Sequence, residues 1–286
     1  MLCKNCKFNA DTKSNYCPKC GTPFKSQNQF NSQTEKILEL ILPLEKSNIL
    51  DKAVSYYKDF LEKHPNYADV HFKLAGIYEA KGDTAKAISH YKKAVLINPN
   101  YVDAHRKLGE IYNDEGLFDL ALNEFKEVLD IKIIHSYADV HNNMGVSYEK
   151  TWKVQKAEES YLKAIKINPN YGKAFYNLGN IKLDQNKNSE AVKNYKLAIK
   201  NNFRNPSCYN NLSIALINQK NYKEAEVNFL EAINCDKDYS SAYKNIGKLY
   251  NELGDKKKAV FYLKKALSIL PKDPEILKIL ETISGK

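Results

Sequence analysis

The chain has 286 residues, 43% of them hydrophobic and 27% charged, a balance that suits a soluble folded protein and excludes a disordered one. Its formal charge is +10, which by itself points to acidic partners such as nucleic acid. The longest apolar run, Ile37 to Leu44, is broken by Glu39 and Pro43 and is too short to cross a bilayer, so no membrane insertion is expected. The opening MLCKNCKFNADTK contains no apolar core of a signal peptide, and the expected location is cytoplasmic.

Residues 1–25 form the first predicted module. Cys3, Cys6, Cys17 and Cys20 make two CxxC turns ten residues apart, CKNC and CPKCG. Four thiolates presented in this way match a tetrahedral structural Zn2+ site with a closed shell that leaves no position for substrate. Two disulfides, or one redox CxxC, use the same residue type, but a reducing compartment favours the metal. Lys4, Lys7, Lys13, Lys19 and Lys25 surround the module against Asp11 alone. Its sequence resembles the short zinc ribbons found at the start of many prokaryotic multidomain proteins. A polar linker, 26–33, follows. Cys208 and Cys235 stand apart from these four and read as small packed side chains.

From Thr34 the chain repeats about every 34 residues, in units 34–67, 68–101, 102–137, 138–171, 172–205, 206–239 and 240–273. Places seven and eight read Leu74-Ala75, Leu108-Gly109, Met144-Gly145, Leu178-Gly179, Leu212-Ser213 and Ile246-Gly247. Place twenty is alanine throughout: Ala53, Ala87, Ala121, Ala157, Ala191, Ala225 and Ala259. About four residues further on come Tyr57, Tyr91, Phe125, Tyr161, Tyr195, Phe229 and Tyr262. Places four, seven, eight and eleven share one face of a first helix, and places twenty, twenty-four and twenty-seven share one face of a second. Small residues at places eight and twenty let the two backbones approach, and the aromatics fill the space beside them. Gly82-Asp83, Gly116 and Gly254-Asp255 supply the turns, with aspartate suited to cap the second helix. Pro65, Pro99, Pro169 and Pro271 close their units.

These residues resemble the tetratricopeptide repeat, whose L-G-x2-Y…A-x3-F…P skeleton has this period. The resemblance implies an all-α fold, an α-solenoid in which helix-turn-helix repeats wind into a right-handed superhelix, with the zinc ribbon at its N-terminus. Pro274 to Ser284, within the tail 274–286, reads as a C-terminal capping helix that shields the apolar end of the stack. Ser32 and Glu35 offer a capping box to the first repeat. Three departures are local: Pro43 should kink the first helix, two extra residues lie between Ile131 and Tyr137, and Trp152 replaces glycine at a turn, placing an aromatic at an exposed corner.

In such a solenoid the first helices line a concave groove, with places two, six, nine and thirteen facing it. Place six is Asn143, Asn177, Asn211 and Asn245 in four consecutive repeats; Asn180 stands at place nine, and Asn142 and Asn210 at place five. An asparagine amide offers a donor and an acceptor together and can engage a peptide backbone whatever its side chains. The pattern resembles the asparagine ladder of the O-linked N-acetylglucosamine transferases. That resemblance implies an extended peptide in the groove, with Lys173, Tyr176, Lys244 and Lys248 contacting its side chains or C-terminal carboxylate. The carboxylate clamp of chaperone-binding relatives is incomplete: Asn180 and Asn211 match, but Tyr176, Ser241 and Asn245 stand where lysine, lysine and arginine are expected.

No phosphate loop, nucleophile signature or Gly-rich cofactor turn is present, and the chain is not expected to be an enzyme. His71, His105 and His141 share place four and read as structural. Excess lysine falls on second helices and turns, as in Lys92-Lys93 and Lys256-Lys257-Lys258, so nucleic acid in the groove is not supported. The expected function is a protein-interaction scaffold that binds a peptide or partner protein. The alternatives are a nucleic-acid-associated factor contacting DNA or RNA through the ribbon, and a regulatory subunit of a separate enzyme.

Overall fold

A computed structural model describes residues 46–131 and 137–284, with side chains from Leu50 onward. The cysteines Cys3, Cys6, Cys17 and Cys20, the linker 26–33, the Ser32–Glu35 box, Pro43 and the inserted residues 132–136 lie outside the described residues. The described residues form fourteen helices and no strand. They are α1 (Lys46–Lys63), α2 (Ala68–Ala80), α3 (Thr84–Ile97), α4 (Val102–Asp114), α5 (Phe118–Asp130), α6 (Ala138–Lys150), α7 (Val154–Ile167), α8 (Gly172–Asp184), α9 (Asn188–Lys200), α10 (Pro206–Asn218), α11 (Tyr222–Cys235), α12 (Ser240–Glu252), α13 (Lys256–Ile269) and α14 (Pro274–Ser284). None of them is long and apolar enough to cross a membrane.

The chain divides into two compact units, Met1–Thr151 and Trp152–Lys286. In the first, α1 to α6 pack in chain order and α4 also meets α6. In the second, α7 to α14 pack in chain order, while α8 meets α10 and α10 meets α12. Within each unit, consecutive helices thus pack on one another, and alternate helices meet at α4–α6, α8–α10 and α10–α12.

Small residues set these contacts. Ala87, Ala121, Ala157, Ala191, Ala225 and Ala259 are wholly buried, as are Phe125, Tyr161, Tyr195 and Phe229. A methyl group at Gly109 would lie 2.5 Å from the Phe125 ring, and one at Gly179 would lie 2.7 Å from that of Tyr195. Burying each ring contributes roughly 1.5–3 kcal/mol. In the last repeat the expected aromatic gives way to a neighbour. Leu263, not Tyr262, fills the space beside Gly247, and Tyr262 stacks on Tyr250 with centroids 5.6 Å apart. Four residues beyond Ala259 the helix faces inward, whereas three residues beyond it has turned toward the flank.

Asp83 and Asp255 cap α3 and α13 by accepting from the backbone N–H of Lys86 and Lys258, each at 3.1 Å. Asp273 caps α14 in the same way through Glu275 and Ile276. Ile276 is buried there, with Ile279, Leu280 and Ile283 packed around Leu263 and Ala266, so α14 covers the apolar end of α13. Cys208 is buried in apolar surroundings, which push its thiol pKa up to about 12. Cys235 is exposed rather than packed, because it ends α11 at its solvent edge.

The turn between helices takes a left-handed residue in every described hairpin: Gly82, Gly116 and Gly254, but also Trp152 (φ 60°), Asn186 (58°) and Lys220 (59°). Trp152 is 88% exposed, so no burial offsets its backbone strain. Trp152→Gly is expected to stabilise the protein by about 1 kcal/mol. At Gly172 an added methyl would meet the Asn201 carbonyl oxygen at 2.7 Å and the Ala198 carbonyl oxygen at 2.9 Å. Neither can move without unwinding the end of α9, so Gly172→Ala is expected to cost about 2 kcal/mol or more. Urea unfolding followed by circular dichroism measures both changes.

Candidate functional site

In the second unit the expected groove residues lie on α8, α10 and α12, and their amides are joined to one another. Asn245 Nδ2 donates to Asn210 Oδ1 at 2.9 Å, and Asn210 Nδ2 donates to Asn211 Oδ1 at 3.1 Å. Asn211 Nδ2 donates to Asn180 Oδ1 at 3.1 Å, and the same oxygen accepts the Tyr195 hydroxyl at 2.9 Å. One directional chain of amide dipoles therefore runs from α12 through α10 to α8 and ends at Asn180 Oδ1, where the phenol from α9 converges as a second donor. Successive donors and acceptors polarise each other in such a chain. Burial drives the Tyr195 phenol pKa far above its usual value, so the hydroxyl remains a donor.

This arrangement changes the role of the ladder. A rung that grips a peptide amide with both its N–H and its oxygen needs both groups free. Asn180 already accepts two bonds, Asn211 gives one and takes one, and Asn210 is buried. The first task of these amides is to fasten one repeat to the next. Place-five Asn210 is the pivot, and the Asn-Asn doublet 210–211 is the sequence signal that marks it. Asn177 on α8 is buried as well.

In the first unit Asn143 Oδ1 accepts from Asn142 Nδ2 at 3.3 Å, and the Asn143 carbonyl accepts from Asn113 Nδ2 at 3.1 Å. Ser147 Oγ donates to Asn113 Oδ1 at 2.6 Å, which completes a second polar link between α4 and α6. Arg106 adds an ionic link, reaching Asp139 on α6 and Asp103 on α4, each at 2.9 Å.

The four groove residues expected to meet a ligand's side chains divide into two groups. Lys173 is exposed in the first turn of α8. Tyr176 is half-buried against Phe203, with ring centroids 5.0 Å apart, and burial raises its pKa. Lys244 and Lys248 are already engaged. Lys244 Nζ lies 3.1 Å from both Asp273 and Glu275, and Lys248 Nζ lies 2.5 Å from Glu275. The acidic first turn of α14 takes the carboxylate position expected of a ligand, because the capping helix continues the repeat register and sets Glu275 at place two. Among the described residues no group of three or more His, Cys, Asp or Glu side chains could hold a metal.

Replacing Asn210 with leucine keeps the branched shape and heavy-atom count of the side chain but strands the Asn245 donor and the Asn211 acceptor. The expected loss is about 1–3 kcal/mol. An Asn210→Ala/Asn245→Ala double-mutant cycle should give a coupling near 1 kcal/mol, read by urea unfolding. A coupling indistinguishable from zero would refute the chain.

The helical hairpins and their spacing agree with the comparisons. Family models described as tetratricopeptide repeat match residues 56–89, 138–171, 160–193, 207–235 and 240–273, and one described as TPR repeat matches 77–116. Together they span more than half of the chain. No curated protein matches it. Among solved structures it is similar to a chain of the APC/C hetero-tetramer Cut9–Hcn1, at 15% identity and a TM-score of 0.69. That match covers 90% of this chain and 52% of the other, so the protein spans about half the length of that neighbour. It is also similar to PilF of Pseudomonas aeruginosa, at 22% identity and TM-score 0.65, covering 77% of this chain and 97% of the other. YrrB, described as a TPR protein with an unusual peptide-binding site, matches at 17% identity and TM-score 0.51, covering 65% of this chain and 95% of the other. With the repeat models matched along its length and the hairpins folded in that pattern, the chain belongs to the tetratricopeptide-repeat family.

Proposed function

We propose that this protein is a non-enzymatic scaffold that holds an extended peptide, or an extended segment of a partner protein, against the first helices of its second unit. One observation carries the reading. The inward faces of α8, α10 and α12 are consumed by packing, while Tyr176, Asn180, Asn211 and Ile214 stay half-buried and Lys173 and Asp184 stay exposed on the remaining face. A mixed surface of amides, one aromatic, one aliphatic and opposite charges suits a peptide chain better than a small molecule. The peptide-binding description of the similar YrrB chain supports the same class of partner. With the amides tied to each other, specificity falls to Lys173, Tyr176, Ile214 and Asp184.

The test uses the full chain and a random-sequence peptide library. Enriched peptides should lose at least ~10-fold in affinity, or about 1.4 kcal/mol, on combining Lys173→Glu with Asp184→Lys, two exposed changes that leave the packing intact. Unchanged affinity sinks the groove reading. Salt-sensitive binding of DNA or RNA that needs the N-terminal lysines would instead favour the nucleic-acid alternative.

The same proposal assigns Cys3, Cys6, Cys17 and Cys20 to a structural Zn2+ in an accessory docking module. Four thiolates in two CxxC turns suit that ion, and its binding supplies on the order of 10 kcal/mol of folding free energy to so small a module. Purified full-length protein should carry about one equivalent of zinc, and Cys3→Ser with Cys6→Ser should abolish it. Undiminished zinc in that variant overturns the assignment.

A further inference from the structure

Away from the groove, the first unit contains a cavity of about 460 Å3 between the end of α1, the loop at Pro65 and Asn66, the start of α2 and the end of α3. Its size falls within the range of small-ligand sites. Leu61, Pro65, Leu96 and Ile97 make apolar walls, and Leu96 is left 81% exposed there. The polar lining is His71, His90, Lys58, Lys93, Glu62 and Asn66.

The two imidazoles are hydrogen-bonded to each other. His71 donates its Nε2–H to the Pro65 carbonyl at 3.1 Å, which leaves His71 Nδ1 as an acceptor. His90 must then donate its Nδ1–H across the 3.0 Å gap, which leaves its own Nε2 with a lone pair. The His90 ring is held between His71 and Tyr78, stacked at 5.2 and 5.6 Å.

One repeat further along, the same niche is built with the opposite charge. His105 occupies the place of His71, and its Nε2 donates to the Pro99 carbonyl at 3.0 Å. There Nδ1 meets the Glu124 carboxylate at 2.7 Å, and Glu127 adds its charge. Burial opposes the charged ring, but these carboxylates and the Pro99 carbonyl outweigh it and raise the His105 pKa. In the cavity, residues 34 places earlier replace Glu124 with His90 and Glu127 with Lys93. Burial, the facing His71, Lys93 and Lys58 lower the His90 pKa to about 4, and burial with Lys93 lowers that of His71. The niche that takes a carboxylate from the chain in one repeat is thus hollow and basic in the other, with Glu62 as the one opposing charge among its lining residues.

We propose that this cavity binds a small aliphatic carboxylate, its chain against Leu61, Leu96 and Ile97 and its head between Lys58, Lys93 and the paired imidazoles. The site is independent of the peptide groove. Binding supplies the anion that Glu124 supplies to His105, so it is coupled to proton uptake by the imidazole pair, and His90 Nε2 becomes a donor.

Octanoate is the probe, titrated into full-length protein with isotope-labelled histidine and followed by NMR. The His71 and His90 signals should shift saturably below about 10 mM, and His90 should titrate at higher pH in its presence. The His105 signals stay put and serve as the internal control. Lys93→Glu, which copies the charge found one repeat later, should weaken octanoate at least ~10-fold without lowering the Tm by more than a few degrees. Octanol tests the tail alone, and phosphate tests the head alone. Absence of a saturable shift at His71 and His90 overturns the proposal. So do an equal response to octanol, an equal response to phosphate (an adventitious ion only), and parallel movement of His105.

Discussion

The described repeats depend on the close approach of two helix backbones within a hairpin. Gly109 against Phe125 and Gly179 against Tyr195 leave no room for a methyl group. Wholly buried alanines such as Ala121 and Ala191 act on the opposing helix. The ring fills the wedge that this approach opens, and its volume fixes the angle of the pair. Protein interiors tolerate little unfilled or overfilled volume, so one small–large combination repeated along the chain reproduces nearly the same hairpin each time. Within each unit the next hairpin then inherits its position from the last.

That geometry gives the polar residues their work. First helices of successive repeats meet within each unit, which puts place-five and place-six side chains of one helix within reach of the next. The chain uses this proximity in three ways. Arg106 reaches Asp139 through charge, Asn245, Asn210, Asn211 and Asn180 link through amides, and Lys244 and Lys248 clasp the acidic start of α14. A half-exposed ion pair contributes little on its own. A part-buried amide chain matters more for register, because slipping one helix would strand several groups without partners. The surface left for a partner is what these links do not consume.

The two histidine niches show how one backbone frame carries opposite chemistry. Both imidazoles donate to a proline carbonyl at the end of the preceding repeat, so ring position is fixed by the fold. The second nitrogen meets whatever the facing helix provides: Glu124 in one repeat and His90 in the other. Repetition thus separates scaffold from function, since the carbonyl clip can persist while the facing residue changes.

The sequence by itself determined the helical hairpins, their period and their buried faces, because a 3.6-residue periodicity and side-chain volume are properties of the chain in order. Ala87 to Ala259 at place twenty, the capping aspartates Asp83 and Asp255, and the exposed turn at Trp152 were all legible there. In the last repeat the period itself points to Leu263, four residues beyond Ala259; Tyr262, expected there as the aromatic, stands one position earlier and on another face. The partners of the polar groups were decided only in the tertiary structure. Asn211 and Asn180 are 31 positions apart, Asn245 and Asn210 are 35, and Lys248 and Glu275 are 27. No local pattern encodes such pairs, because they depend on the spacing and rotation of helices from different repeats. A hydrogen bond forms only within a few tenths of an ångström of its ideal length, and that precision comes from the packed stack.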